Sequence, residues 1–279
     1  MAKFNLEKEK QRVSFTLQKR NLPTMRASVG LTLDVSGSIE PLFKQGVIQR
    51  LVEQIVPIGL RFDDNGNLDV YTFSSSDMIA QVDGATEKNY DGFVRREIIN
   101  NSAVPKWGGT DYSPVLNKML EDYGFYGGGS DYNRKLSGNA TPSSAPEKKG
   151  FFSKLFGGSK EPAKPTPRGH VLQESSASGE AVINYFITDG ENSDQSRTYE
   201  LLRKVRDAKA NIYIMFIGVG RANFQFIERC GNDFSNVGFL NVADLQAFTD
   251  SDDIYEKLLP DELVNWLKQK ATVYLRSRS

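Results

Sequence analysis

Residues 29–38 read Val-Gly-Leu-Thr-Leu-Asp-Val-Ser-Gly-Ser, an apolar run of strand length that ends in an acid and two hydroxyls. A run that does not alternate apolar with polar residues reads as a strand covered on both faces, the habit of parallel sheets. AVINYFI at 181–187 and IYIMFIGV at 212–219 have the same character. Amphipathic helices are expected between such strands. In 41–56 the pairs Leu42/Phe43, Val47/Ile48, Leu51/Val52 and Ile55/Val56 make one apolar stripe, with Pro41 in the first turn and Pro57 as the stop. Residues 114–123 and 195–209 repeat the design, and a last helical region, 251–270, is interrupted at Pro260. LRFDDNGNLDVYTF reads as a turn at Asp64–Gly66 entering a strand at 68–74. This alternation implies an α/β fold with a doubly wound, mostly parallel, Rossmann-like sheet flanked by helices.

Composition breaks sharply once. Residues 124–180 contain 10 Gly, 5 Pro and 9 Ser and keep no period of 2 or 3.6, so they read as a flexible insertion. Neither flank has enough strands to close a sheet alone. We therefore expect a single domain over 25–279 interrupted at about 124–180, preceded by an extension (1–24) whose VSFTLQK at 13–19 could add an edge strand.

The 279 residues carry 35 basic and 35 acidic side chains, and a net-neutral chain lacks the cation surplus that sequence-independent nucleic-acid binding needs. No uncharged apolar run is long enough to span a bilayer, and the charged first twenty residues have no apolar core of the secretory kind, so a cytoplasmic location is expected. One cysteine, Cys230, excludes an internal disulfide and Cys-rich zinc sites. One histidine, His170, excludes His-pair metal sites, and it lies in the insertion. Chemistry is left to carboxylates, hydroxyls and backbone.

Those groups gather where strands end. The first strand ends in Asp34-Val35-Ser36-Gly37-Ser38, the strand at 181–187 in Thr188-Asp189-Gly190-Glu191, and Gly108-Gly109-Thr110-Asp111 precedes the helix at 114. In a doubly wound sheet the crevice lies at the carboxyl ends of the strands where the winding reverses, so adjacency of these two strands would bring Asp34 and Asp189 together. Two carboxylates with the hydroxyls of Ser36, Ser38 and Thr110 form an all-oxygen set, the preference of a hard cation such as Mg²⁺. Gly37 and the glycines before Thr110 are expected to let the backbone turn tightly around the ion.

Asp34-x-Ser36-x-Ser38 with a distant Thr110 and a distant Asp189-Gly resembles the metal-ion-dependent adhesion site of the von Willebrand factor A family, over about residues 25–123 and 181–270. The turn RFDDNGNLDVYTF further resembles the bacterial branch associated with tellurite-resistance and stress-response clusters. The resemblance implies one divalent cation, Mg²⁺ first with Mn²⁺ or Ca²⁺ as alternatives, held by Asp34, Ser36, Ser38, Thr110 and Asp189. It also implies a protein partner that offers an acidic side chain to the ion, and interaction instead of catalysis, in a bacterial stress or defence system.

Taken alone, DxSxS is also what caps any helix after a strand, and Asp111 and Glu191 read as acids of a first helical turn. An aspartyl phosphatase would place a second acid at position 36, and neither GxxxxGK[ST] nor GxSxG occurs. The alternative of another class is a metal-dependent hydrolase using the same carboxylates. Cys230 reads as a packed thiol. Trp107 reads as core, or as an aromatic rim to the ion. Within the insertion, Phe151, Phe152, Leu155 and Phe156 share one helical face among lysines. Docking on a partner or on the chain's own domain ranks ahead of an inert linker, with a membrane surface third.

Overall fold

The computed structural model describes residues 4–63, 66–126, 171–190 and 192–276. The Phe151–Phe156 motif, His170 and Glu191 lie outside the described residues. Six strands form one sheet in the order β3-β2-β1-β4-β5-β6. They are β1 (Ala27–Asp34), β2 (Asn67–Phe73), β3 (Ile79–Thr86), β4 (Ala181–Thr188), β5 (Ile212–Val219) and β6 (Val237–Val242). All neighbours run parallel except β2 and β3. Every residue of β1, β4 and β5 is buried, which is why their sequences do not alternate.

Helices cover both faces. On one, α1 (Leu6–Lys19), α3 (Val47–Phe62) and α9 (Asp261–Arg276) close over Val29, Leu31, Leu33, Ile183, Tyr185 and Ile217. On the other, α4 (Ser113–Asp122), α5 (Gln195–Asp207) and α6 (Gln225–Asp233) cover Phe73, Val182, Phe186 and Phe216. Short helices complete the chain: α2 (Glu40–Lys44), α7 (Leu245–Thr249) and α8 (Ile254–Leu258), with a π-helical turn at Val94–Ile99. Cys230 is a packed thiol inside α6, and Pro260 separates α8 from α9.

β1 is the hinge of the topology. Ala27 to Leu33 pair with Ala181 to Ile187 on one side, and Gly30 to Asp34 with Asp69 to Phe73 on the other. The winding therefore reverses between β1 and β4. The face of β1 turned toward α4 is small and polar. Thr32 bonds Asn184, and a Cβ on Gly30 would stand 2.8 Å from both the Asn184 amide and the Tyr123 hydroxyl.

Three elements differ from the sequence reading. Residues 13–19 are not an edge strand but part of α1. Asn5 caps that helix by accepting the Lys8 N–H at 3.0 Å, and Leu6, Val13 and Leu17 form its buried stripe against α3. The β-branched composition of VSFTLQK is overridden by helical spacing across the longer window. The helix expected at 41–56 is broken at Gly46 (φ +74°), and its second half continues through Pro57 to Phe62. Ile58 and Phe62 are fully covered there, and burying that extra turn outweighs the hydrogen bond Pro57 cannot donate.

The insertion is also narrower than its composition suggested. Gln173 N–H donates to Phe125 O (2.7 Å), Ala177 N–H to Tyr123 O (2.8 Å) and Asn211 N–H to Glu174 O (2.6 Å), so 124–126 and 171–180 are tied to the fold. The two ends already meet across the Phe125–Gln173 bond. Replacing 127–170 by a short Gly/Ser linker is thus expected to leave a single cooperative unfolding transition, with a stability change of about 1 kcal/mol or less. Loss of cooperativity in a urea titration would contradict this.

Candidate metal centre

Because Leu33 pairs with Ile187, the next residues out, Asp34 and Thr188, lie side by side at the carboxyl edge of the sheet. Both are fully buried. The Thr188 hydroxyl donates to Asp34 Oδ2 at 2.7 Å, and the Ser36 N–H donates to Asp34 Oδ1 at 2.7 Å. The Ser36 and Ser38 hydroxyls are 3.1 Å apart, and the Ser38 hydroxyl donates to Asp189 Oδ1 at 2.8 Å. Four of the five residues singled out in the sequence are therefore linked in one hydrogen-bonded chain from β1 to β4.

Thr110 belongs to a third loop stitched to the same edge. Trp107 N–H donates to Val35 O (2.7 Å), Gly37 N–H to Gly108 O (3.1 Å), and Ser193 N–H to Thr110 O (2.9 Å). The Thr110 backbone thus lies between the loops after β1 and β4, while its hydroxyl bonds none of the other four residues. Gly108 is required by space, since a Cβ there would fall 2.7–2.9 Å from Met78 Sδ and the Ser74 and Ser75 hydroxyls. Gly37 is not, because its Cβ would meet the Trp107 carbonyl at an ordinary 3.6 Å.

Around this chain stands a polar shell that spacing does not reveal. The Tyr112 hydroxyl lies 2.5 Å from Gly190 O and 3.0 Å from the Thr188 hydroxyl. Asp194 accepts the N–H groups of Tyr112 (2.9 Å) and Ser113 (2.8 Å), capping α4 from across the sheet edge because α4 has no cap of its own. Asp111 is more than a first-turn acid, for its carboxylate accepts from the Ser76 and Ser193 hydroxyls. Thr188 stands at a strand end in the sequence, but it is the β1–β4 register that places it beside Asp34. Asp194 carries no comparable signal. Trp107 packs edge to face on Phe43 (centroids 5.8 Å apart) and, partly buried, joins the core as expected.

The electrostatics suit a cation. Burial pushes the Asp34 carboxyl up to about 6; hydrogen bonds from Ser36 and Thr188 hold it down, and the Asp189 charge adds to the rise. Burial raises Asp189 as well, against the Ser38 hydrogen bond. Among the described residues no Lys or Arg pairs with either acid. No cluster of three or more His, Cys, Asp or Glu side chains occurs among those residues either, so the donor set here is two carboxylates with hydroxyls. That set fits a hard divalent ion.

A pH dependence follows. Asp34 is higher in the folded chain than in the unfolded one, so its contribution to stability is fully present below pH ~4 and is lost as pH rises through ~6. In chelator, the protein should lose roughly 3 kcal/mol from this group between pH 4 and 7. Divalent-ion affinity should move the opposite way, rising to about pH 6 and then levelling. Denaturant titrations and calorimetry at both ends of that range test the pair of trends.

A family model described as the von Willebrand A domain found in the TerF C terminus matches residues 26–130 and 160–273, well over half of the chain. An uncharacterized protein of Bacillus subtilis strain 168, YcbR, is 28% identical over 270 residues, covering 95% of this chain and 87% of that protein. Among solved structures, a von Willebrand factor type A protein from Catenulispora acidiphila is 10% identical, with a TM-score of 0.47, over 88% of this chain and 42% of that one. Proximal thread matrix protein 1 from the mussel byssus, solved with a zinc-occupied MIDAS motif, is 17% identical, with a TM-score of 0.42, over 84% and 46% of the two chains. This chain thus spans less than half the length of those two structures. On the family match, the chain belongs to the vWA-TerF-like family of von Willebrand A domains.

Proposed function

We propose that the edge of β1 and β4 holds one divalent cation through Asp34, Ser36, Ser38, Thr110 and Asp189, and that the ion captures an acidic side chain of a partner protein. The observation that carries this reading is the hydroxyl-laced pair of raised carboxylates with no Lys or Arg paired to it among the described residues. Mg²⁺ is the expected ion, with Mn²⁺ and Ca²⁺ as alternatives, because every donor is a hard oxygen. When bound, the ion supplies charge neutralisation and an open position for a carboxylate. The residues of this chain orient that position: Asp34 is fixed by Thr188 and Ser36, Asp189 by Ser38, and the Thr110 loop by Val35, Gly37 and Ser193.

The role is interaction in place of catalysis, in a bacterial tellurite-resistance or stress system, and in the cytoplasm. No helix among the described residues is long and apolar enough to cross a membrane. Phe151, Phe152, Leu155 and Phe156 form a second docking element in this reading, so Phe152→Glu with Phe156→Glu should spare stability and weaken capture. The test is retention of proteins from lysate by the immobilised chain in Mg²⁺, their release by chelator, and loss of retention in Thr110→Ala. Hydrolysis of generic phosphate esters in Mg²⁺ would favour the hydrolase instead, and retention indifferent to chelator would contradict the proposal.

A further inference from the structure

Beside the Thr110 loop lies a groove of about 530 Å³, formed by α2, the start of α3, the π-helical turn and Trp107. That volume is in the range of sites that enclose one side chain or a small ligand. Phe43, Val94, Ile99 and Trp107 provide apolar lining. The groove and the metal loops share their backbone, since Trp107 N–H is bonded to Val35 O and the next residue's carbonyl accepts from Gly37. α2 begins two residues after Ser38.

Two features of the groove's walls are costly in ordinary structural terms. Trp107 holds φ at +68°, a left-handed backbone that a bulky residue adopts only when its surroundings impose it, and such residues cluster at binding sites. The wall at Val94–Ile99 is a π-helical turn, also a conformation found frequently at functional positions. Charge gives a third observation. Lys44 is paired with Glu40 at 2.8 Å and Lys106 donates to the carbonyls of Asn101 and Val104. Arg96 is engaged by Glu97 at 2.6 Å. Arg95, exposed on the groove, has no ion pair among the described residues.

We propose that this groove takes an apolar side chain of the same acidic segment whose carboxylate reaches the ion, with Arg95 pairing a second carboxylate of that segment. The inference rests on the metal reading above and adds the partner's chemistry: an acidic peptide with one large aliphatic or aromatic residue within a few positions of its metal-binding acid. The complementarity is between an acid-seeking ion, a guanidinium without an ion pair among the described residues, and an apolar cleft beside the metal loops.

The test uses the full chain with Trp266→Phe, which leaves Trp107 as the sole tryptophan reporter; Trp266 is buried against Tyr213. The probes are labelled ten-residue Gly/Ser peptides carrying two Glu and a Leu or Phe one to six positions from the first Glu. Each has a mate with Ser in place of the apolar residue. Anisotropy in Mg²⁺ should show at least one spacing that binds about tenfold or more tighter than its mate, a difference of about 1.4 kcal/mol, with a shift in Trp107 emission. Arg95→Glu, a surface change that threatens no packing, should remove about tenfold in affinity, and Trp107→Gly should remove the preference for the apolar residue. Arg95→Glu should leave Mg²⁺ affinity by calorimetry unchanged. If no peptide outbinds its mate, or both variants bind as the parent does, the groove proposal falls while Mg²⁺ titration of the parent still stands or fails by itself. An apolar preference that survives chelator contradicts a segment shared with the ion.

Discussion

Asp34→Ala and Asp34→Asn are both expected to lose divalent-ion binding by about 100-fold or more, roughly 3 kcal/mol. In the proposed site Asp34 and Asp189 supply the two carboxylates, so removing one would leave a 2+ charge under-neutralised and its shell short of a donor. The two variants separate charge from structure. Alanine abandons the Ser36 N–H and the Thr188 hydroxyl, both buried, and that loss offsets the relief of removing a buried charge. Asparagine keeps one acceptor, for the Ser36 N–H, and removes the charge, while its NH2 faces the Thr188 hydroxyl, which can rotate to accept. At pH 7.5 in chelator, Asp34→Asn should therefore melt above the parent, by up to roughly 3 kcal/mol in stability. The parent alone should gain with Mg²⁺, by about 2.7 kcal/mol at a hundredfold excess over the dissociation constant. Thermal scans of the three proteins with and without Mg²⁺ check the pattern. An Asn variant less stable than the parent in chelator would show that the Asp34 charge is compensated in some other way.

Asp194→Ala is expected to destabilise the fold by about 3–4 kcal/mol, although Asp194 contacts no proposed ligand side chain. Its buried carboxylate accepts from the backbone of Tyr112 and Ser113 and is approached by Asn192 and by Thr198 at 3.2 Å. Burial alone would raise Asp194, but the hydrogen bonds from Ser113, Tyr112 and Asn192 bring it below the usual carboxylate range. A depressed carboxyl contributes stability above the unfolded value near pH 4 and loses it as pH falls, so the variant's deficit should shrink in acid. The first turn of α4 follows Thr110 directly, so Mg²⁺ affinity should fall as well, by less than in Asp34→Ala. Asp194→Asn keeps one acceptor and should recover part of the loss. A urea-derived change under about 1 kcal/mol would show that Asp194 does not hold the start of α4.

What could be read in the sequence follows from where each element sits. β1, β4 and β5 have helices on both faces, so their composition declares them. β3 and β6 are the sheet edges, only partly covered, and their mixed sequences IAQVDGAT and VGFLNV carry no such run. α1 is amphipathic with exposed Phe15 on its outer side, and a window of seven residues hides its helical period. The convergence of Asp34, Ser36, Ser38 and Asp189 was legible on the condition that β1 and β4 are neighbours, because each residue ends or follows one of those strands. Asp194 capping α4 from 81 residues away, and Ser74 donating to Gly109 O from the loop after β2, are contacts between loops with no local periodicity. Only the assembled sheet edge reveals them.

Whether these loops enclose one divalent ion is decided by anomalous scattering from crystals grown in Mn²⁺. A single strong peak is expected at the carboxyl edge between β1 and β4. It should lie at roughly 2.0–2.2 Å from the Ser36 and Ser38 hydroxyls, with Thr110 and the two carboxylates completing the shell directly or through water. A saturated crystal with no peak between Asp34 and Asp189, or with its only peak elsewhere, would contradict it.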